Sequence, residues 1–274
     1  MEGTELLRYW DLKEKPFENT CDPRFFYYSP YHKEALVRLV YVIKENKAGA
    51  LLAGDYGTGK TTIASELLSE IEKSDSFRSV YISNPLLTSR ELIQEIAYQL
   101  GVKKEGSSRP ELRRAIGEAL REVAAGDQHT IIIVDEAHLV TRKEALEELR
   151  LMMNAQFGNR FLSTIIMMGQ LEMRNIIDAM PQFKQRFAMC YVLKHLDEKE
   201  TAGYIEHRLS IAGGRKEIFT GEACSLIHSS SGGRPRQINN ICDMSLLVAC
   251  MRKAERVDEG VVREVARDFA EENR

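Results

Sequence analysis

Short β-branched apolar runs alternate along the chain with longer stretches in which apolar residues recur every three or four positions. That alternation is the pattern of a parallel sheet with helices on both faces. Residues 50–54 (ALLAG) read as a buried strand, and a helix follows over about 60–73. Residues 79–83 (SVYIS) predict a second strand. Over 88–100 the residues Leu92, Ile93, Ile96, Ala97 and Leu100 make a helical stripe. A polar loop at 101–108 leads to a helix that Pro110 opens and that ends near Ala125. Residues 130–135 (TIIIVD) are the most strand-like of all, and so continuous an apolar run predicts a central strand covered on both faces. A helix over 142–155, a strand over 162–169 and a fifth strand over 189–193 complete the series.

Beyond His195 the strands stop and helical periods continue. Asp197 with Glu200 predicts a capping box, Thr220 a second helix start, and Pro235 a third after the turn at 231–233. Asp258 predicts the cap of a last helix to Phe269. The expected organisation is an α/β domain over 1–195 and a small helical domain over 196–274.

Candidate chemistry concentrates at two strand ends. After the first strand, Gly54-Asp55-Tyr56-Gly57-Thr58-Gly59-Lys60-Thr61 fits G-x-x-x-x-G-K-[ST] without a mismatch, and Thr62 follows. Glycines let a backbone wrap a phosphate chain with its N–H groups inward, and the helix that starts there adds its dipole. Lys60 then supplies charge to the terminal phosphates, and the Thr61 hydroxyl can join a magnesium shell. The third strand ends in Asp135-Glu136. An acidic residue there can hold magnesium through water, and the adjacent Glu136 can polarise an attacking water. The expectation is ATP with Mg2+ as ligands and ATP hydrolysis as the reaction. The DEAH spelling suggests a helicase, but a helicase needs two motor domains and 274 residues hold one.

Composition narrows the partners. With 43% hydrophobic and 29% charged residues the chain reads as globular, and its net charge of -3 argues against a polybasic role. Lys103, Lys104, Arg109, Arg113 and Arg114 could still form a local basic face, or simply a solvated helix face and loop. Cys21, Cys190, Cys224, Cys242 and Cys250 have no C-x-x-C spacing, and three lie in apolar helical surroundings, which suits reduced thiols. The N-terminus has no basic start followed by an apolar run, and no stretch reaches the ~18 apolar residues of a spanning helix. A cytoplasmic protein without membrane insertion is expected.

The motifs YWDLKEKPFENTCDPRFFYYSPYHKEAL, GDYGTGKTT, VDEAHL, MMGQLEMR, FKQRF and SGGRPRQINNICDMSLL, in that order, span nearly the whole chain. Together they resemble the AAA+ ATPases and, more narrowly, the general secretion pathway protein A family. The resemblance implies a P-loop AAA+ three-layer sandwich with a five-stranded parallel sheet and a C-terminal helical lid. It implies that Gln170 is a sensor-1 residue, Arg186 an arginine finger that reaches a neighbouring subunit, and Arg236 a sensor-2 arginine. It also places adenine near residues 28–32. Gln170 could instead cap the next helix, and Arg186 could sit in a surface ion pair. Leu171 and His138 stand where the family often has Pro and Gln, and neither is expected to touch the hydrolysis machinery. Family members continue into a membrane helix and a periplasmic region, so the chain is expected to be either the cytoplasmic part of a membrane-anchored protein or a stand-alone relative. The implied partners are other copies of the chain, bridged by ATP, and secretion or pilus-type membrane-complex proteins. A DNA-acting regulator of the transposition or initiator kind is the alternative.

Overall fold

The computed structural model describes residues 3–102 and 106–272. Five parallel strands form the main sheet: β1 (Gly49–Gly54), β2 (Phe77–Ile82), β3 (His129–Val134), β6 (Ser163–Gly169) and β7 (Phe187–Leu193). Their order across the sheet is β2-β3-β6-β1-β7. Every residue of β1 and β6 is buried, as continuous apolar runs require in a sheet covered on both faces. The central strand is β6, and β3 lies one place nearer the β2 edge. Between α6 (Lys143–Met153) and β6 the chain makes a small hairpin, β4 (Gln156–Phe157) with β5 (Arg160–Phe161), that no sequence period announced.

Helix α2 (Pro30–Lys44) leads into β1, and α3 (Lys60–Glu72), α4 (Ser89–Gln99), α5 (Arg109–Ala125), α7 (Leu171–Asp178) and the one-turn α8 (Pro181–Lys184) lie between the strands that follow. Thr88 and Glu91 form a reciprocal capping box at the start of α4. From α4 the side chains of Leu92, Ile93, Ile96 and Ala97 enter the sheet core, the stripe that the spacing predicted.

By packing, the chain falls into two compact units that are not simple halves. One contains residues 33–55 and 63–193, with the sheet; the other contains 1–32, 56–62 and 194–274. In the second unit lie α1 (Gly3–Tyr9), α9 (Glu198–Ile211), α10 (Gly221–Ser231), α11 (Pro235–Met251) and α12 (Glu259–Glu272). The predicted caps appear: Asp197 accepts from the Glu200 N–H at 2.7 Å, Thr220 from Ala223 at 3.2 Å and Asp258 from Val261 at 3.0 Å. Trp10 is buried in this helical core and donates from Nε1 to the Leu246 carbonyl at 3.0 Å. Arg208, also buried, donates to the Pro16 and Glu18 carbonyls and lies 4.8 Å from the centre of the Phe25 ring. The N-terminal segment is thus fastened by hydrogen bonds as well as by apolar burial. Cys224, Cys242 and Cys250 are buried free thiols in the same unit, and Cys21 and Cys190 are exposed.

Candidate nucleotide-binding site

The phosphate-loop motif joins β1 to α3, as the motif's mechanism requires. Gly57 and Gly59 have φ of +76° and +96°, a region where a side chain would be strained. Thr58 and Lys60 are buried and Tyr56 is exposed. Within the helical unit, the Thr58 carbonyl accepts from His32 Nε2 at 2.8 Å, and a Cβ on Gly59 would lie 2.9 Å from that nitrogen. Positive φ at two glycines, with a helix beginning at the next residue, is the backbone form of an anion nest.

Arg236 occupies the first turn of α11, two residues after Arg234, and is exposed. Its guanidinium lies over the Tyr56 ring, 4.8 Å from the centroid, and Nη1 donates to the Tyr56 hydroxyl. The start of α11 is set by Gly233, whose φ is +70° and whose backbone approaches so closely that a Cβ would meet the Leu196 carbonyl oxygen at 1.9 Å. Beside the loop a small cavity is lined by Phe25, Phe26, Tyr27, His32, Gly59 and Thr62, among others. Tyr28, inside the segment expected to face adenine, is 51% exposed and does not line the cavity; the aromatic rings there are those of Phe25, Phe26, Tyr27, His32 and Tyr204.

In the sheet unit, β6 lies between β1 and β3, so Gly54, Asp135 and Gln170 stand at the same, C-terminal, end of the sheet. Asp135 is 2% exposed. Its carboxylate accepts from the Tyr81 hydroxyl at 3.2 Å and from the Glu136 N–H at 2.8 Å. Glu136 has φ 48° and ψ 35°, a left-handed backbone that costs a non-glycine residue about 1–3 kcal/mol and is found disproportionately at functional sites. Gln170 precedes α7 as its backbone cap, but its side chain makes no capping hydrogen bond.

The expectation that His138 stands clear of this machinery does not match the geometry. Its Nδ1 is 3.4 Å from Glu136 Oε2 and 3.4 Å from the Gln170 backbone nitrogen. One ring nitrogen cannot serve both neighbours in the same way. Carrying a proton it donates to Glu136; without one it accepts from Gln170.

Arg186 is exposed at the entry to β7, where Phe187 pairs with Gly49 at the N-terminal end of β1. It therefore lies at the end of the sheet opposite Gly54, roughly 16 Å of strand away at 3.3 Å per residue. In the basic cluster, Lys103 and Lys104 lie outside the described residues. Arg109 and Arg113 are partly exposed but not without counter-charge: both bind the carboxylate of Glu148, at 2.5 Å, and the Glu148 side chain is 1% exposed. Burial pushes the Glu148 carboxyl up, but the hydrogen bonds from Arg113 and Arg109 outweigh it and hold the group below the usual glutamate range. Arg114 remains exposed.

A family model described as an AAA domain matches residues 43–177. General secretion pathway protein A of Aeromonas hydrophila is 33% identical over 258 residues, which are 92% of this chain and 46% of that protein. The chain spans less than half the length of the curated relatives it matches. Among solved structures, the Aeropyrum pernix ORC2 protein in its ADPNP–ADP complexes gives a TM-score of 0.70 at 14% identity, over 93% of this chain and 71% of that one. Drosophila ORC bound to DNA gives 0.72 at 15% identity, over 97% and 66%. At such identities the structural likeness speaks for the fold. With its sheet order, its phosphate loop and this identity over nearly its full length, the chain belongs to the AAA+ ATPase family and is a homologue of general secretion pathway protein A.

Proposed function

We propose that the chain binds ATP with Mg2+ and hydrolyses it, and that hydrolysis supports the assembly or working of a secretion or pilus-type envelope system. The observation that carries the reading is the loop 54–61: two glycines at positive φ, a buried lysine and a helix start, in the one order that suits a polyphosphate. The residues also fit the ion, because the Thr61 hydroxyl and the Asp135 carboxylate are hard oxygen donors of the kind Mg2+ takes. Asp135 is held in one orientation by Tyr81 and by the backbone of Glu136.

In this reading the N–H groups of residues 55–62 bind phosphate oxygens and Lys60 neutralises their charge. The bound ion supplies further charge neutralisation on the phosphates. Glu136 accepts the proton of the attacking water, and Gln170 orients that water or a phosphate oxygen. Arg236 carries positive charge to the phosphates from α11, and the cavity of Phe25, Phe26 and Tyr27 receives the base. We read 1–195 as the catalytic α/β domain and 196–274 as its lid. The ORC2 structure with ADPNP and ADP supports the choice of an adenine nucleotide.

Arg186 has a catalytic use only toward the nucleotide of a second copy, because it stands at the opposite end of the sheet from its own loop. We therefore propose self-association through nucleotide-bridged interfaces. The homology with general secretion pathway protein A supports the proposal of an envelope partner. Among the described residues no helix is long and apolar enough to cross a membrane. The DNA reading has less support, since two arginines of its basic stretch are engaged with Glu148.

Nucleotide titration and phosphate release on two variants test the proposal. Lys60→Ala should lose ATP binding, while Glu136→Gln should bind ATP and turn over at least ~100-fold more slowly. Undiminished turnover in Glu136→Gln removes Glu136 from its role, and tight binding by Lys60→Ala sinks the loop assignment.

A further inference from the structure

His32 lies in the N-terminal segment, 26 residues before Thr58 of the loop it touches, and is 5% exposed. Both ring nitrogens are engaged: Nε2 with the Thr58 carbonyl at 2.8 Å, and Nδ1 with Ser29 Oγ at 2.7 Å. A carbonyl can only accept, so Nε2 carries the hydrogen; in the uncharged ring that burial favours, Nδ1 then offers its lone pair and the Ser29 hydroxyl donates to it. This is a neutral imidazole. Burial pushes its pKa below the ordinary histidine value, against a smaller opposing effect of the bond to Thr58. The ring therefore contributes direction and not charge.

That direction bears on the peptide between Thr58 and Gly59. The peptide is trans, so its C=O and N–H point to opposite sides. With the Thr58 oxygen drawn to His32, the Gly59 N–H faces away from it. Gly59 can hold this arrangement because it has no Cβ to strike the ring. Phe26 packs edge-on against His32 at 6.0 Å between ring centres, and both line the small cavity beside the loop.

We propose that His32 is a positioning residue for the phosphate loop, and that Ser29 sets the tautomer with which it works. His32 pins the Thr58–Gly59 peptide so that the loop's N–H groups are set before any phosphate arrives. The proposal rests on the nucleotide reading above and deepens it.

The test compares ATP with inorganic tripolyphosphate, which reports on the loop without a base. Displacement of a fluorescent ADP would be measured for the unmodified protein, His32→Ala, His32→Gln and Ser29→Ala. His32→Ala removes the Nε2–H bond to the Thr58 carbonyl and should weaken both ligands by about ten-fold. His32→Gln, whose amide can reach that carbonyl, should recover most of the loss. Ser29→Ala should weaken both by about three-fold, and adding it to His32→Ala should cost little more, because the two act as one unit. Equal tripolyphosphate affinity in His32→Ala and the unmodified protein overturns the proposal: His32 is then a base-side residue if ATP alone weakens, and a core histidine if neither does. So does an unmodified protein that binds ATP but is not displaced by tripolyphosphate, since a preset loop should hold a bare phosphate chain. Absence of ATP binding by the unmodified protein is a different result, seen without any mutation, and overturns the nucleotide reading itself. Should His32→Ala fail to fold, Ser29→Ala and His32→Gln carry the same comparison.

Discussion

Arg236 rests its guanidinium on the ring of Tyr56, the third residue of the phosphate loop. An exposed cation–π contact of this kind is worth about 0.5–1 kcal/mol. If Arg236 serves the phosphates, it has to leave the ring to do so, and the contact opposes ATP. Tyr56→Ala should then bind ATP about two- to five-fold more tightly. ADP, which lacks the γ-phosphate, should change less, and Tyr56→Phe should keep most of the effect of the ring. Paired ATP and ADP titrations decide it; weaker ATP binding by Tyr56→Ala would mean that the ring presents the arginine.

His138 places one nitrogen between Glu136 and the Gln170 backbone, which makes it a candidate positioning residue for the proposed base. Its removal should lower kcat while leaving the affinity for ATP within about two-fold, since nothing that holds the phosphates is altered. A loss on the order of three- to ten-fold in kcat is expected for His138→Ala, with partial return in His138→Gln. An unchanged kcat, or a loss confined to KM, removes His138 from this role.

Glu148 joins α5 to α6 by accepting from both Arg109 and Arg113. Removing one partner of a buried pair costs about 3–5 kcal/mol, but these guanidinium groups are partly exposed and the expected loss for Glu148→Ala is on the order of 2 kcal/mol. Urea unfolding measures it. The same engagement predicts that duplex DNA binds weakly near physiological salt. Tight binding there that collapses with added salt and with Arg113→Ala, while the fold stays intact, would favour the DNA reading.

His129 sets a pH window. Burial first, then the charge of Arg160, pushes its pKa from 6.5 down to about 4. Its Nε2–H donates to Thr164 Oγ1 at 2.8 Å, because that hydroxyl is itself spent on the Lys47 carbonyl at 2.6 Å. The unfolded chain binds this proton more readily than the folded one. The stability contribution is therefore complete above pH 6.5 and is lost as pH falls through the folded value. About 3 kcal/mol is at stake across that window. Unfolding free energies of the unmodified protein should fall between pH 7 and pH 5 more steeply than those of His129→Gln, and parallel curves would show that another group is responsible.

Several features of this protein are legible without its structure because their causes are local. The apolar runs at 50–54 and 130–135 require strands, the Thr88–Glu91 and Asp197–Glu200 pairs require helix starts, and the glycines of 54–59 require a loop able to adopt positive φ. Each of those depends on residues within one or two turns of each other. The pairings are another matter. His32 reaches Thr58, Gly233 meets Leu196, and Glu148 takes up Arg109 and Arg113 across 39 and 35 residues. The basic stretch looked open in one dimension because its counter-charge lies on another helix. In the same way, His138 looked remote from catalysis because the left-handed turn at Glu136, which sets their side chains 3.4 Å apart, leaves no mark in the residue types. Periodicity and caps determine which elements form and where they end; which side chains then share a hydrogen bond depends on the faces that packing brings together, and only the tertiary structure decides that.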